Sequence, residues 1–420
     1  MANTASNIKD VGTIVAKVGA KMLADKLQFL KSIDVEPASS FGTNNDFNVG
    51  DAININIPAR FSVGTNANIT STQQDIVEQR RSLTLDTRAV VATNMTSAEL
   101  QNQLKLKLWM SRVLDEKVSA IAQYVESTFL NTAKNTVYNT VGSDSAIPGS
   151  AIFDTDTILQ AREKIKMNLA PSDDNLYVLL GSKGMRSAVN ARKGLFQNSS
   201  EVASQYKNGY MGQSDGFTFL ENNLVPTHSR GTQVKASITV TTTSVEGAST
   251  LALTGGSGQT LKAGDVITIA NVFMVHPITK VVTPDLQQFV VTADNTASGT
   301  AYTGVQISPA IYTSTSGGLQ NVNSLPQSTA AVTLWGQPSS ATPAGNYQTG
   351  LAFHRSAFRF VSVPLPTFDG THNCSVETVD DISLRVWMDT DIRTDQLLCR
   401  VDFLGGFRAV RPEWACKLPF

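Results

Sequence analysis

The feature that most constrains this chain is an abrupt change in charge content. Of its 34 basic and 35 acidic residues, only seven fall in the 117 positions from Gly231 to Tyr347. They are Lys235, Glu246, Lys262, Asp265, Lys280, Asp285 and Asp294. Thr, Ser, Val, Ala and Gly dominate this stretch, with runs such as Val266-Ile267-Thr268-Ile269 and Phe289-Val290-Val291. Short alternating runs between Gly-rich turns predict a separate all-β domain. Residues 314–343, rich in Ser, Gly, Gln and Pro, read as a long loop within it. After Tyr347 the charged, mixed style returns. The chain therefore leaves a first domain, makes an inserted one and comes back.

Ahead of the insert the pattern changes several times. Ile8, Val11, Val15, Val18, Met22 and Phe29 recur at three- and four-residue steps, which predicts an amphipathic helix closed by Pro37. A single apolar stripe must be buried somewhere, and a terminal arm can bury it on a partner. Asp10, Asp25 and Asp34, with no Arg nearby, count against a mitochondrial presequence. Next, Ile53, Ile55 and Ile57 alternate with polar residues, as do Leu83, Leu85, Thr87, Ala89 and Val91. Between them lies the polar stretch 62–79. The pair reads as a long hairpin, too poor in apolar residues to hold itself; it is either disordered alone or laid across a neighbour. Arg60, Arg80, Arg81 and Arg88 flank its tip, either as solvated charge or as bidentate partners of carboxylates on another subunit. Thr96 and Glu99 fit a capping box. From there a helical stripe through Leu100, Leu104, Leu108, Leu114, Val118, Ile121, Val125 and Phe129 runs to about Asn135. Such a helix would span roughly 55–60 Å and suits a spine laid across a sheet. Residues 152–224 alternate between helical and strand patterns in an α/β manner.

Several function classes are excluded by what is absent. The formal net charge is −1, without the clustered Lys and Arg that phosphate backbones or anionic membranes require. The three cysteines, Cys374, Cys399 and Cys416, have no metal-ligand spacing and form no disulfide framework. No apolar run reaches the ~18–20 residues of a membrane helix, and no signal-peptide core is evident. The expectation is a protein made and kept in a cytoplasm-like compartment. The four histidines, His228, His276, His354 and His372, are dispersed and read as structural. The run 255–262 superficially resembles a phosphate loop but lacks the Gly-Lys-Ser/Thr ending and precedes a strand pattern. Asp173-Asp174 and Asp380-Asp381 fall in predicted turns. No catalytic constellation, metal site or cofactor is expected.

Three stretches carry a resemblance. Residues 264–272 (Gly-Asp-Val-Ile-Thr-Ile-Ala-Asn-Val) look like the characteristic strand of an inserted domain. Residues 351–358 (Leu-Ala-Phe-His-Arg-Ser-Ala-Phe) look like the segment that re-enters a shell domain. Arg400-Val401-Asp402 through Gly406, then Val410-Arg411-Pro412-Glu413, look like its closing strand and turn. With the order of elements, these resemble the major capsid proteins of tailed bacteriophages, most closely the short-tailed Salmonella phage coats that carry an inserted β-domain.

The resemblance implies an α+β fold, the tailed-phage major capsid fold with an inserted all-β domain. Its parts would be an N-terminal arm (1–50), an extended hairpin loop (51–92), a spine helix of a peripheral domain (93–140), an axial domain (141–230), the insert (231–347) and a return to axial and peripheral domains (348–420). It implies pentamers and hexamers of the chain in an icosahedral shell and maturation from a precursor. It also implies a scaffolding protein, a portal protein, and double-stranded DNA enclosed without sequence-specific binding. Asp265, Lys280, Asp285 and Asp294 become candidates for inter-subunit ion pairs, and the stripe Ile8, Val11, Val15, Val18 and Met22 a candidate docking face for the arm. Some phage capsids cross-link through a Lys on the hairpin; residues 51–100 contain none, so closure is expected to be non-covalent. The alternatives are a cellular nanocompartment shell protein of the same fold and a secreted β-rich surface or adhesin protein.

Overall fold

The computed structural model describes residues 6–41, 50–59, 61, 73, 76, 78–96, 113–142, 155–192, 212–234, 238–336, 345–367, 374–391 and 393–420. The chain divides into two compact units.

The first unit gathers Met1–Ile55, Arg81–Phe129 and Phe358–Arg408. Helices α1 (Ser6–Lys26) and α2 (Gln28–Lys31) lead into strand β1 (Asp34–Val35). Next in sequence come β2 (Ala52–Ile57), β3 (Gln79–Thr84) and β4 (Thr87–Thr96). The main sheet runs β1, β18 (Phe358–Ser362), β21 (Gln396–Ala409), β20 (Ile382–Asp391) and β19 (Cys374–Val379), with β4 also on β21. Helix α1 packs on β19 and β20 of the same chain. Val15, Ala16, Ala20, Leu23 and Leu27 are fully buried there, while Val18 and Met22 are half-buried. Of the expected docking stripe, Val15 is therefore spent on the chain's own core. The side chains of Ile8 and Val11 lie outside the described residues.

The spine expected from 96 is described only as α3 (Asp115–Thr136); Thr96 ends β4, and Glu99 lies outside the described residues. Val118, Ile121, Val125 and Phe129 recur at helical spacing and are buried. Asp115 and Glu116 sit in the first turn, where the helix dipole favours negative charge, and Asp115 pairs with Lys26 of α1 at 2.8 Å. The core centres on stacked rings, with Phe129 and Phe407 5.2 Å apart and Phe29 and Phe358 5.8 Å apart edge to face. Each such ring contributes roughly 1.5–3 kcal/mol by leaving water. Asp402 is wholly buried and accepts hydrogen bonds from Arg385 Nε and Nη2 and from Arg400 Nε.

The expected hairpin differs in one respect. The alternation over 83–91 is not one strand. Leu85 exchanges backbone bonds with Gly50 and Asp51, which breaks the run between β3 and β4. β2 pairs with β3 alone, while Ala89 and Val91 belong to the main sheet opposite Phe403 and Val401.

The second unit gathers Asn56–Arg80, Leu130–Ala357 and Ala409–Phe420. Its α/β layer has the strand order β22 (Ala415–Pro419), β17 (Tyr347–His354), β5 (Leu176–Leu180), β7 (Phe217–Glu221), β6 (Gln213–Ser214), with β8 (Thr227–His228) on β17. Helices α4 (Thr155–Met167) and α5 (Ser182–Arg192) pack on this sheet. β5 pairs in parallel with β7 and antiparallel with β17. Ile158, Ala161 and Ile165 of α4 meet Val178, Leu180, Phe217 and Phe219 of the sheet in one apolar cluster.

The charge-poor stretch holds a closed antiparallel barrel. Its strands are β9 (Ile238–Val240), β10 (Ala248–Thr254), β12 (Val266–Val275), β13 (Val282–Val291), β15 (Ala301–Ile311) and β16 (Ala331–Leu334). They close in the order β10, β15, β13, β12, β16, β9. A two-stranded ribbon, β11 (Thr260–Leu261) with β14 (Asn295–Thr296), lies beside them. Ile267, Ile269, Phe289 and Val291 point inward with Leu251, Leu253, Val305 and Ile307. Closure leaves no free sheet edge, so a segment with few charges needs little else to guard it.

Candidate functional site

The barrel meets the α/β layer in a buried polar cluster built around one carboxylate. Asp265 sits one residue before β12, on a turn that Gly264 makes with a φ of +99°. A Cβ at 264 would come within 3.0 Å of Asn135 Oδ1 and of the His228 ring. The close approach and the positive φ both favour glycine there. Gly231 is just as constrained, because a Cβ there would lie 2.0 Å from the Thr260 carbonyl oxygen.

Asp265 is only 2% exposed. Its Oδ1 accepts a bond from His228 Nε2 at 2.9 Å and lies 3.7 Å from Arg230 Nε. Its Oδ2 accepts the backbone N–H groups of Lys262 at 2.8 Å and Gly231 at 3.3 Å. Lys417, from β22, donates to the Gly264 carbonyl at 2.9 Å. Arg230 also donates to the carbonyls of Gly336 and Trp335. A second set of bonds lies alongside. Gln288 of β13 bonds both the N–H and the C=O of Thr140, and Lys164 of α4 donates to Gln288 Oε1 and to the same Thr140 carbonyl. An apolar plug of Tyr138, Val266, Val290 and Trp335 completes the seat.

The electrostatics follow from burial. Burial alone would raise the Asp265 pKa, but the bond and charge of His228, then Arg230 and the Lys262 N–H, hold it below the usual carboxylate range. Burial pushes Lys417 down to about 7, against the pull of Asp265. Burial likewise lowers Lys134, and it lowers His228 with help from the Lys417 and Lys134 charges. A neutral His228 therefore donates Nε2–H to Asp265, and its Nδ1 has no partner among the described residues.

The structure sorts the sequence candidates. Asp265 is internal, which corrects its assignment to an inter-subunit contact: a carboxylate this buried is out of a neighbour's reach. Asp294 accepts bonds from Lys262 Nζ at 2.6 Å and the Ala263 N–H at 2.9 Å, and Lys280 donates to the Gly318 carbonyl at 3.0 Å. Asp285 is exposed. Lys280 and Asp285 share the β12–β13 hairpin with the exposed apolar residues Ile278, Val281, Val282 and Leu286. Arg80 and Arg88 are exposed on β3 and β4 and Arg81 is half-buried; Arg60 lies outside the described residues. His228 was read in the sequence only as one of four dispersed structural histidines, and Arg230, Lys417 and Lys134 were not singled out there. The one available signal was Asp265 itself, a lone carboxylate heading an apolar strand. Among the described residues no cluster of His, Cys, Asp or Glu could hold a metal ion, and no helix is long and apolar enough to cross a membrane.

Comparison with known proteins gives a family. The sequence profile described as "P22 coat protein - gene protein 5" matches residues 39–418. No curated protein matches. Solved structures similar to the chain include the "Capsid of Ralstonia phage GP4", with 8% identity over 94% of this chain and 91% of that one and a TM-score of 0.49. A second, titled "Mycobacterium phage Che8", has 10% identity over 88% and 84% and a TM-score of 0.41. The "CUS-3 coat protein I-domain" has 31% identity over 24% of this chain and 96% of that one, with a TM-score of 0.19. The family match, over nearly the whole chain, is the result that bears weight.

Proposed function

The chain belongs to the P22 coat protein family, and from that membership we propose that many copies of it close an icosahedral shell around phage double-stranded DNA. It is a structural, non-enzymatic major capsid protein, and its place is the virion. The single observation carrying this reading is the profile match over residues 39–418.

The finer reading is as follows. Pentamers and hexamers form through non-covalent contacts on a scaffolding protein, with a portal protein at one vertex. A precursor shell then matures, and assembly takes place in the host bacterial cytoplasm. Two surfaces support a role in subunit contact. One is the β12–β13 hairpin, where Lys280 and Asp285 flank exposed apolar residues. The other is the exposed Arg80 and Arg88 of β3 and β4. A near-zero net charge limits repulsion between crowded copies and gives the inner wall little grip on DNA.

The test is negative-stain electron microscopy of the purified protein, alone and co-expressed with neighbouring genes. Closed polyhedral shells or capsid-like tubes support the reading. Dispersed monomers under both conditions overturn self-assembly and reopen the surface-protein alternative.

A further inference from the structure

The seat described above holds one carboxylate and a surplus of bases. Asp265 faces Arg230 and His228 from the β8 side, Lys134 from α3 and Lys417 from β22. The remaining titratable neighbours do not restore the balance. The Cys416 thiol, next to Lys417 in sequence, is pushed by burial up to about 12 and stays neutral. Burial likewise pushes Tyr302 of β15 up to about 12 and Tyr347 of β17 upward. Lys164 of α4, lowered by burial, faces Asp285 and Glu163. Asp294 is held low by the Ala263 N–H and by Lys262.

The position of the cluster matters as much as its charge. Among the described residues, bonds that tie barrel to layer converge here: Asp265 with His228 and Gly231, Lys417 with Gly264, Arg230 with the Trp335 and Gly336 carbonyls, and Gln288 with Thr140 and Lys164. A buried cation without a matching anion is costly, so each proton added here acts on the barrel's attachment and not on its interior.

We propose that this seat is a proton-sensitive latch: the barrel is held most firmly when Lys417 and His228 are both neutral, and protonating them sets up to four cations around one buried carboxylate and loosens the barrel from the layer. The sign follows from linkage. Lys417 titrates near 7 when seated and near 10.4 in water. The open seat therefore binds the extra proton, and opening becomes easier as pH falls from about 10 to about 7. Below about 7 the Lys417 contribution is saturated. His228, whose seated value lies below its ordinary one, then adds a second step from about 6.5 downward. The isolated chain would respond in this way whatever it assembles into.

The experiment is amide hydrogen exchange on the purified full-length chain between pH 9.5 and 7, corrected for intrinsic exchange. The reporters across the seat are the N–H groups of Thr140, bonded to Gln288, and Gly231, bonded to Asp265. The internal references are Val240 and Thr241, bonded within the barrel to Ala330 and Ala252. Protection at Thr140 and Gly231 should fall, relative to Val240 and Thr241, by up to about tenfold per pH unit. Lys417→Met should flatten that dependence and leave Val240 and Thr241 protected. Lys417→Arg, charged throughout, should lower seat protection at every pH. A wild-type seat whose protection is flat over this range, or falls in step with the barrel interior, overturns the latch. So does a folded Lys417→Met chain that keeps the full slope. If that variant does not fold, the wild-type comparison alone decides.

Discussion

At the scale of single residues, Asp265 is the one carboxylate around which the buried bases His228, Arg230, Lys134 and Lys417 are arranged. It is one of seven charges in 117 residues, and the family resemblance made it a candidate for an inter-subunit ion pair. The structure turns it inward, where its four acceptor bonds and contacts come from both barrel and layer. Removing its charge would strand Arg230 and Lys134 without an anion. Asp265→Asn is therefore expected to cost about 3–5 kcal/mol of the second unit's stability, measured by urea unfolding at pH 8. Adding Lys134→Met to that variant should recover part of the loss, because one of the two stranded groups is gone. A cost under about 1 kcal/mol would put the pair in the range of exposed ion pairs and remove Asp265 as the counter-ion of the seat.

At the scale of elements, legibility followed periodicity. The stripe through Val118, Ile121, Val125 and Phe129 was readable because one face of α3 is wet and the other dry. Strands β5 and β7 were readable because they form short apolar runs. Two things were not readable. The break between β3 and β4 depends on Leu85 bonding Gly50 and Asp51, a pairing some 35 residues distant that no local pattern encodes. The seat depends on side chains from residues 134, 228, 265 and 417, which only the folded chain brings together. The α1 stripe lies between these cases, since its helix was legible but its partner was not. Val15 is wholly buried on a helix packed against β19 and β20. Val15→Asp should thus destabilise the first unit by roughly 3 kcal/mol or more, seen as a lowered thermal midpoint of the unassembled chain. Lys17→Glu and Lys21→Glu, on the exposed face, should change stability by less than about 0.5 kcal/mol. Only this second pair can report on scaffold docking without a folding defect, and a large stability loss in it would contradict the placement of α1.

At the scale of the whole molecule, a shell must gain its strength either from covalent links between subunits or from many weak contacts. The β12–β13 hairpin tests the second source. Reversing charge at Lys280 or at Asp285 should slow assembly or shift it to higher protein concentration, measured by light scattering, and the paired reversal should recover part of it. Normal assembly of both single variants would remove the hairpin from the contact set. The first source, in the form some phage capsids use, needs a Lys on the projecting hairpin, and residues 51–100 contain no Lys. Their four Arg side chains offer no primary amine for such a link. The shell then has to hold by summing contacts of about 1 kcal/mol each over every subunit boundary, a form of strength that a strong detergent reverses. Mature particles boiled in detergent should accordingly run as one band at the monomer mass of 45.0 kDa. A ladder of multiples would require a reactive Lys outside the hairpin, and the exposed Lys17 and Lys21 of α1 would be the first to replace.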